Sequence, residues 1–389
     1  MFSGSPVRKT AGALARSLWE ASRRRVVPAL DRASTRVQLD FPLLEAVLTQ
    51  LEPTLSLRTV RAEVVAIVEE TADTRSFWLR PNARFGSFKP GSFVNVRLRI
   101  DGRMLERSYS LSAAPRRDGL ICLTVKRVPG GLCSSYLADR VHVGQVLELS
   151  APQGRFLLPD VVPDRVLMLS AGSGITPVMA MLRELVARRS KAQVVFMHFA
   201  RTPEDVIFRA ELMEIAREHP NVKLVLCVEE AGASADAWQG AVGRFREPLL
   251  VQHAPEFREL DTFLCGPSGF MQAVMSCFEQ ADADLSKRRY ARFNVELDAG
   301  RFLDHAQVIR FLRSGAESVS NRPRTILEEA ERAGLRVESG CRAGNCGTCR
   351  CRKKSGVVVD VTTGIESSSA AEFIYPCVSV ARGTVEVEL

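Results

Sequence analysis

CRAGNCGTCRC, Cys341 to Cys351, places four cysteines within eleven residues. Four residues separate Cys341 from Cys346, and two separate Cys346 from Cys349. A further cysteine, Cys377 in YPCVSV, is separated from Cys349 by 27 residues. This C-x4-C-x2-C…C spacing suits a [2Fe–2S] cluster, with three thiolates on one tight loop and a fourth closing the cage. Gly344 and Gly347 let the loop wrap closely and aim backbone N–H groups at sulfur. Structural zinc usually takes two paired knuckles, whereas here three ligands cluster and one stands alone. The expected ligands are Cys341, Cys346, Cys349 and Cys377. Cys351 alternates with Cys349 along an expected strand and reads as a bystander.

The segments around the loop extend this reading. QVIRFLRSG alternates like a strand, and TILEEAERAG reads as an amphipathic helix with Thr325 as N-cap and Gly334 at its end. GTVEVEL closes the chain as a strand. Residues 304–389 resemble a plant-type ferredoxin, which implies a β-grasp fold.

The whole chain has 389 residues and ten cysteines. The other five (Cys122, Cys133, Cys227, Cys265, Cys277) are scattered through apolar or helical stretches, unlike a disulfide framework. That distribution and the absence of a secretory signal predict a reducing, cytoplasmic location. No apolar run approaches a bilayer-spanning length. The net charge of +8 is partly local: residues 1–40 hold eight Lys or Arg against three acids, a net of +5. A nucleic-acid-binding protein is therefore not expected. Within residues 10–29, Ala11, Leu14, Leu18 and Ala21 make a short apolar stripe beside arginines. This arm reads as a peripheral membrane contact, a transit peptide or a tail.

Upstream of the cysteines, residues 59–160 read as short strands punctuated by turns, the pattern of an antiparallel barrel. They include Arg107-Ser108-Tyr109-Ser110 and then PGGLCSSYL, Pro129 to Leu137. In the latter, two glycines lead into a helix start suited to phosphate. Residues 161–285 alternate strands and helices, the pattern of a doubly wound parallel sheet. They open with DRVLMLSAGSGITPVMAMLREL, a strand, glycine loop and helix, in which Pro177 takes the place of the third glycine of G-x-G-x-x-G. The helix EDVIFRAELMEIAREH and the strand TFLCGPSGF follow. Residues 1–58 are read as a basic extension and residues 286–303 as a linker.

In this order, the motifs of residues 59–280 resemble the ferredoxin–NADP reductase family. The resemblance implies that Arg107 and Ser108 belong to the flavin site, with Arg107 at the phosphates. Tyr109 would pack on the isoalloxazine, and Ser110 would sit near N5. Gly131 and Ser134 would hold the pyrophosphate. Gly172, Gly174 and Thr176 would line the pyridine-nucleotide site, with Cys265 and Gly266 beside the nicotinamide. Ser110, Thr176 and Cys265 are the expected catalytic residues. RSYSL with GGLCS favours FAD over FMN. Arg201 and Arg209 are placed to favour NADPH over NADH by holding a 2′-phosphate.

The three-domain order is similar to reductases that feed multicomponent oxygenases. The stretch before residue 70 looks like electron-transfer partners of membrane acyl-CoA desaturases. The expected function is electron transfer from NAD(P)H through FAD and the cluster to an external oxygenase, a fatty-acyl desaturase or hydroxylase. A soluble ring-hydroxylating oxygenase, a hybrid cluster protein or a redox-sensing role are the alternatives. A monomer is expected. His142, His198, His219, His253 and His305 are scattered and read as structural.

Overall fold

The computed structural model describes residues 50, 52–232, 237–293, 307–344 and 346–389. The apolar stripe within residues 10–29 and most of the 286–303 segment lie outside the described residues.

The first unit is a six-stranded antiparallel sheet with the order β4-β3-β6-β1-β2-β5. Its strands are β1 (Val60–Thr71), β2 (Thr74–Pro81), β3 (Phe93–Ile100), β4 (Arg103–Ser110), β5 (Ile121–Lys126) and β6 (Val146–Leu149). A bridge from Leu111 to Leu123 joins the end of β4 to β5, so the sheet closes on itself. Alternate residues, among them Val64, Phe77, Leu79, Val96 and Leu123, fill the barrel. Helix α1 (Leu132–Arg140) starts at Gly131 with no side-chain cap, which leaves N–H groups at its start without intrahelical partners.

The second unit is a parallel sheet with the order β10-β9-β8-β7-β11-β12. It comprises β7 (Arg165–Ala171), β8 (Gln193–Ala200), β9 (Val222–Val228), β10 (Ala241–Val242), β11 (Asp261–Cys265) and β12 (Arg288–Ala291). Successive residues of β7 enter opposite cores, Val166 and Met168 on one face and Leu167 and Leu169 on the other. Helices α2 (Ile175–Ala187), α3 (Arg209–Glu218), α4 (Glu247–His253) and α5 (Ser268–Gln280) cover the faces.

Two details differ from the sequence reading. The helix expected from EDVIF onward begins only at Arg209, because Pro203–Asp205 form a 3-10 turn and Phe208 takes a left-handed φ of 60°. Residues 288–291 of the expected linker pair in parallel with β11. Their polar sequence hides a strand because it stands at the sheet edge, with Arg289 ion-paired to Asp261 at 2.6 Å.

The third unit has a mixed sheet with the order β14-β13-β18-β15-β16. Its strands are β13 (Gln307–Phe311), β14 (Ala316–Ser320), β15 (Cys351–Asp360), β16 (Glu366–Ser367), β17 (Glu372–Ile374), which pairs with β15, and β18 (Ser379–Val387). β13 and β18 run parallel. Helix α6 (Ile326–Arg332) packs Ile326 and Ala330 on this sheet. Thr325 and Glu328 form a reciprocal capping box, a device worth about 1 kcal/mol.

Candidate active site at the junction of three domains

The three units meet at one cavity of about 850 Å³. Arg107, Ser108, Tyr109, Ser110, Gly131 and Ser134 line it from the barrel. Ser173 and Thr176 line it from the nucleotide unit, and Cys341, Gly344, Cys346 and Gly347 from the cysteine loop. Residues distant in sequence thus share one wall.

β4 presents the flavin motif. Ser108 donates to Asn95 Oδ1 at 2.5 Å, and Asn95 Nδ2 donates to Glu106 at 2.6 Å. Arg107 donates to the Glu106 carbonyl at 2.8 Å. Burial pushes the Tyr109 phenol well above its usual range, so it stays neutral. Ser110 is buried at the cavity wall. Ser134 Oγ accepts from the Val128 N–H at 3.1 Å and donates to the Gly131 carbonyl at 3.3 Å. A Cβ on Gly131 would stand 2.7 Å from Ser134 Oγ. The bare backbone and open helix start make a cradle that fits a phosphate.

β7 neighbours both β8 and β11, which makes its C-terminal end the switch point where doubly wound sheets bind nucleotides. Gly172 takes a φ of 49°, and Thr176 donates to the Ser173 carbonyl at 3.0 Å. A Cβ on Gly174 would come 2.3 Å from the Cys265 carbonyl oxygen, so the two loops touch through bare backbone. Cys265 is fully buried, and burial pushes its thiol up, out of thiolate range. Gly266 sits against Phe270 and Ala171.

Arg201 and Arg209 do not line the cavity. Arg201 pairs with Asp205 at 2.9 Å and with Asp73 of the barrel at 3.5 Å. Arg209 lies 5.2 Å from the Trp238 ring centroid. His198, buried between β7 and β9, meets Ser170 Oγ at 2.9 Å, and burial pushes its pKa down to about 3.

Cys341, Cys346, Cys349 and Cys377 lie close together, with Cys341 beside Cys346 and Cys377 and Cys349 beside Cys377. The Cys346 N–H donates to Cys341 Sγ at 3.2 Å and the Cys341 N–H to Cys346 Sγ at 3.3 Å. The Gly344 N–H donates to Cys377 Sγ at 3.3 Å. Gly344 and Gly347 hold left-handed φ of 76° and 75°, which lets the loop turn tightly around the sulfurs. Hydrogen bonds from Cys346 and Cys377 hold the Cys341 thiol well below its usual range, and the same sharing pushes Cys377 up. Four thiols so close cannot all ionise without a compensating cation, which iron would supply. Among the described residues no three His, Cys, Asp or Glu side chains surround a single ion position. A two-iron cluster asks for another arrangement, with two thiolates to each iron. Cys351 stands behind the loop among Ile309, Phe311 and Val385.

Several residues in or beside the cavity escaped the sequence reading. Tyr290, Arg292 and Tyr375 line the wall. Gly340 abuts the barrel, where a Cβ would stand 2.6 Å from Asn95 Nδ2. The basic, aromatic run KRRYARF was a visible signal for the first two; Gly340 gave none.

A nucleotide switch point, a flavin cradle and a cysteine cage around one cavity define a pyridine-nucleotide-dependent flavoprotein with an iron–sulfur centre. The comparisons agree. The oxidoreductase FAD-binding domain family matches residues 61–157, the oxidoreductase NAD-binding domain family residues 168–276, and the 2Fe-2S iron-sulfur cluster binding domain family residues 310–382. The chain is 34% identical over 366 residues to an NADPH oxidoreductase of Mycobacterium tuberculosis, covering 93% of this chain and 92% of that one. It is 32% identical over 344 residues to the glycine betaine monooxygenase reductase subunit of Chromohalobacter salexigens, covering 83% and 94%. Its fold matches that of phthalate dioxygenase reductase with a TM-score of 0.58, at 23% identity over 85% of this chain and 98% of that one. The chain belongs to the ferredoxin–NADP reductase family, in the group that carries a C-terminal [2Fe–2S] domain. It is an NAD(P)H-dependent oxidoreductase that uses FAD and the cluster.

Ser110→Ala is expected to slow NAD(P)H-dependent flavin bleaching by roughly 10²-fold while FAD stays bound, the scale of one lost polar contact at a reacting atom. Stopped-flow absorbance measures it, and bleaching at the wild-type rate would remove Ser110 from the hydride step.

Proposed function

We propose that the protein takes hydride from NADPH and passes the electrons singly to an external oxygenase, a membrane fatty-acyl desaturase or hydroxylase. The observation that carries the electron path from NADPH to the cluster is the shared cavity, because it is lined by the flavin motif, the coenzyme loop and two of the proposed ligand cysteines. FAD, when bound, accepts a two-electron hydride and returns electrons one at a time. The protein's part is placement. Ser110 and Thr176 face the same space from two domains, and Arg107 and the α1 start would hold the phosphates from the barrel.

The oxygenase acceptor is supported by relatives named as reductase subunits of glycine betaine monooxygenase and stachydrine N-demethylase. Those names also favour a second reading, an oxygenase outside the membrane. The desaturase reading rests on the N-terminal stretch and its basic arm. Among the described residues no helix is long and apolar enough to cross a membrane. Reconstitution with a membrane desaturase and with a ring-hydroxylating oxygenase decides between them, since only the true acceptor turns over in step with NADPH.

NADPH is proposed over NADH. One relative is named an NADPH oxidoreductase. Arg201 and Arg209 both stand just past the second strand of the nucleotide sheet. The expected result is a kcat/KM at least about tenfold higher for NADPH, the scale of one charge-assisted contact. A preference for NADH would overturn the assignment.

A further inference from the structure

A chain of hydroxyls crosses the seam between the barrel and the nucleotide unit. Thr124 on β5 lines the cavity. Its Oγ1 lies 2.7 Å from Ser76 Oγ on β2. Ser76 Oγ donates at 2.5 Å to Glu70 Oε1 on β1. Ser112 joins from the side, 2.8 Å from Thr124. Thr124, Ser76 and Ser112 are 4%, 1% and 0% exposed, whereas Glu70 is half-buried.

These side chains point away from the barrel core, which Phe77, Leu79, Leu123 and Val125 fill from the alternate positions. The nucleotide unit covers them. Arg183 on α2 donates to the Ser112 carbonyl at 2.6 Å and pairs with Glu211 on α3 at 2.5 Å. The seam therefore holds a polar path with little water, one end in the cavity and the other at a carboxyl group. The carboxylate end fixes its polarity. Ser76 donates to Glu70, so Thr124 is the donor to Ser76.

The reaction leaves something for such a path to carry. Each NAD(P)H oxidised to NAD(P)+ yields two electrons and one proton. The cluster accepts one electron at a time and no proton. One proton per turnover must therefore leave the cavity by another way.

We propose that Thr124, Ser76 and Glu70 form the relay by which that proton leaves the active-site cavity. The proton enters on Thr124 Oγ1 as that oxygen passes its own proton to Ser76 Oγ. Ser76 passes its proton to Glu70 Oε1, and Glu70 releases it to solvent. Rotation of the two hydroxyls restores the starting pattern. The groups facing Glu70 suit this role. Burial, the largest effect, raises its pKa; the Ser76 hydroxyl and Arg183 lower it, and Glu211 raises it. The net rise brings the carboxyl nearer the working pH, where a relay group is most effective.

The inference rests on the cavity being where flavin and coenzyme meet. The holoenzyme with NADPH, ferricyanide and a pH-indicator dye tests it, because two ferricyanides reduced per NADPH release one proton. Ser76→Ala should slow proton release about tenfold and enlarge the solvent deuterium isotope effect, while flavin bleaching by NADPH stays within about twofold. Thr124→Val, which removes the hydroxyl at nearly constant shape, should likewise slow release, and Thr124→Ser, which keeps it, should not. Glu70→Gln should alter the acidic limb of the pH profile. Flavin content and melting temperature report folding separately. Wild-type proton release and isotope effect in Ser76→Ala would overturn the relay, as would equal impairment by Thr124→Ser and Thr124→Val. A wild-type flavin that NADPH fails to bleach would overturn the reading of the cavity instead.

Discussion

Cys377→Ser is expected to strip the cluster while NAD(P)H-dependent ferricyanide reduction survives. Cys377 comes from a different segment than the loop and is buried at 4% exposure beside Leu327 and Val378. As the proposed fourth ligand it would close the cage, and its sulfur already accepts the Gly344 N–H. A serine oxygen is a shorter, harder ligand than thiolate and would leave that iron poorly held. Iron and sulfide per chain should fall towards zero, and transfer to the physiological acceptor should fall by at least about 10²-fold, since weaker changes around metal sites already cost 10–100-fold. Ferricyanide takes electrons from the flavin directly, so its reduction should stay within about twofold of wild type. Cys351→Ser is the control. Its thiol is pushed up to about 12, chiefly by burial, and it packs in the apolar core. That variant should lose about 1–3 kcal/mol of stability and keep its iron. Loss of iron from Cys351→Ser with retention in Cys377→Ser would reverse the ligand assignment.

What the sequence revealed follows from how local each signal is. Three of the proposed cluster ligands and their glycines lie within nine residues, so spacing alone suggests the chemistry. The capping box of Thr325 and Glu328 is local in the same way. The start of α3 was not legible, since the apolar spacing of EDVIF continues through a backbone that Phe208 turns left-handed. β12 was hidden because an edge strand needs no apolar alternation. Asn95 and Gly340 meet across 245 positions of chain, and nothing near either predicts the contact. Ser76 and Thr124 occupy alternate positions that sequence alone assigns to a solvated barrel face. In the folded chain both are buried, and Arg183 of the nucleotide unit stands against the same face through the Ser112 carbonyl.

Gly174→Ala should cripple coenzyme use without touching the cluster. Gly174 has φ −61° and ψ −12°, angles any residue adopts, so the substitution carries no intrinsic backbone penalty. The obstacle is space. The new methyl would stand 2.3 Å from the Cys265 oxygen, 2.5 Å from its carbonyl carbon and 2.6 Å from the Gly266 Cα. All three are backbone atoms and cannot rotate aside, so the loop after β11 must move away from the loop after β7. That opens the switch point where the nicotinamide is proposed to lie. Displacements near 1 Å at reacting centres cost on the order of 10²-fold, and overpacking costs about 1–3 kcal/mol of stability. The expected result is a 10–10²-fold fall in kcat/KM for NADPH in stopped-flow flavin bleaching, with iron content and dithionite reduction of the cluster unchanged. Gly172→Ala separates strain from crowding. Gly172 has φ 49° and no atom within 4 Å of a new Cβ, so alanine there costs about 1–2 kcal/mol of backbone strain and meets nothing. If Gly172→Ala impaired coenzyme use as severely as Gly174→Ala, backbone strain in the loop, and not the contact between the two loops, would be what shapes the nicotinamide site.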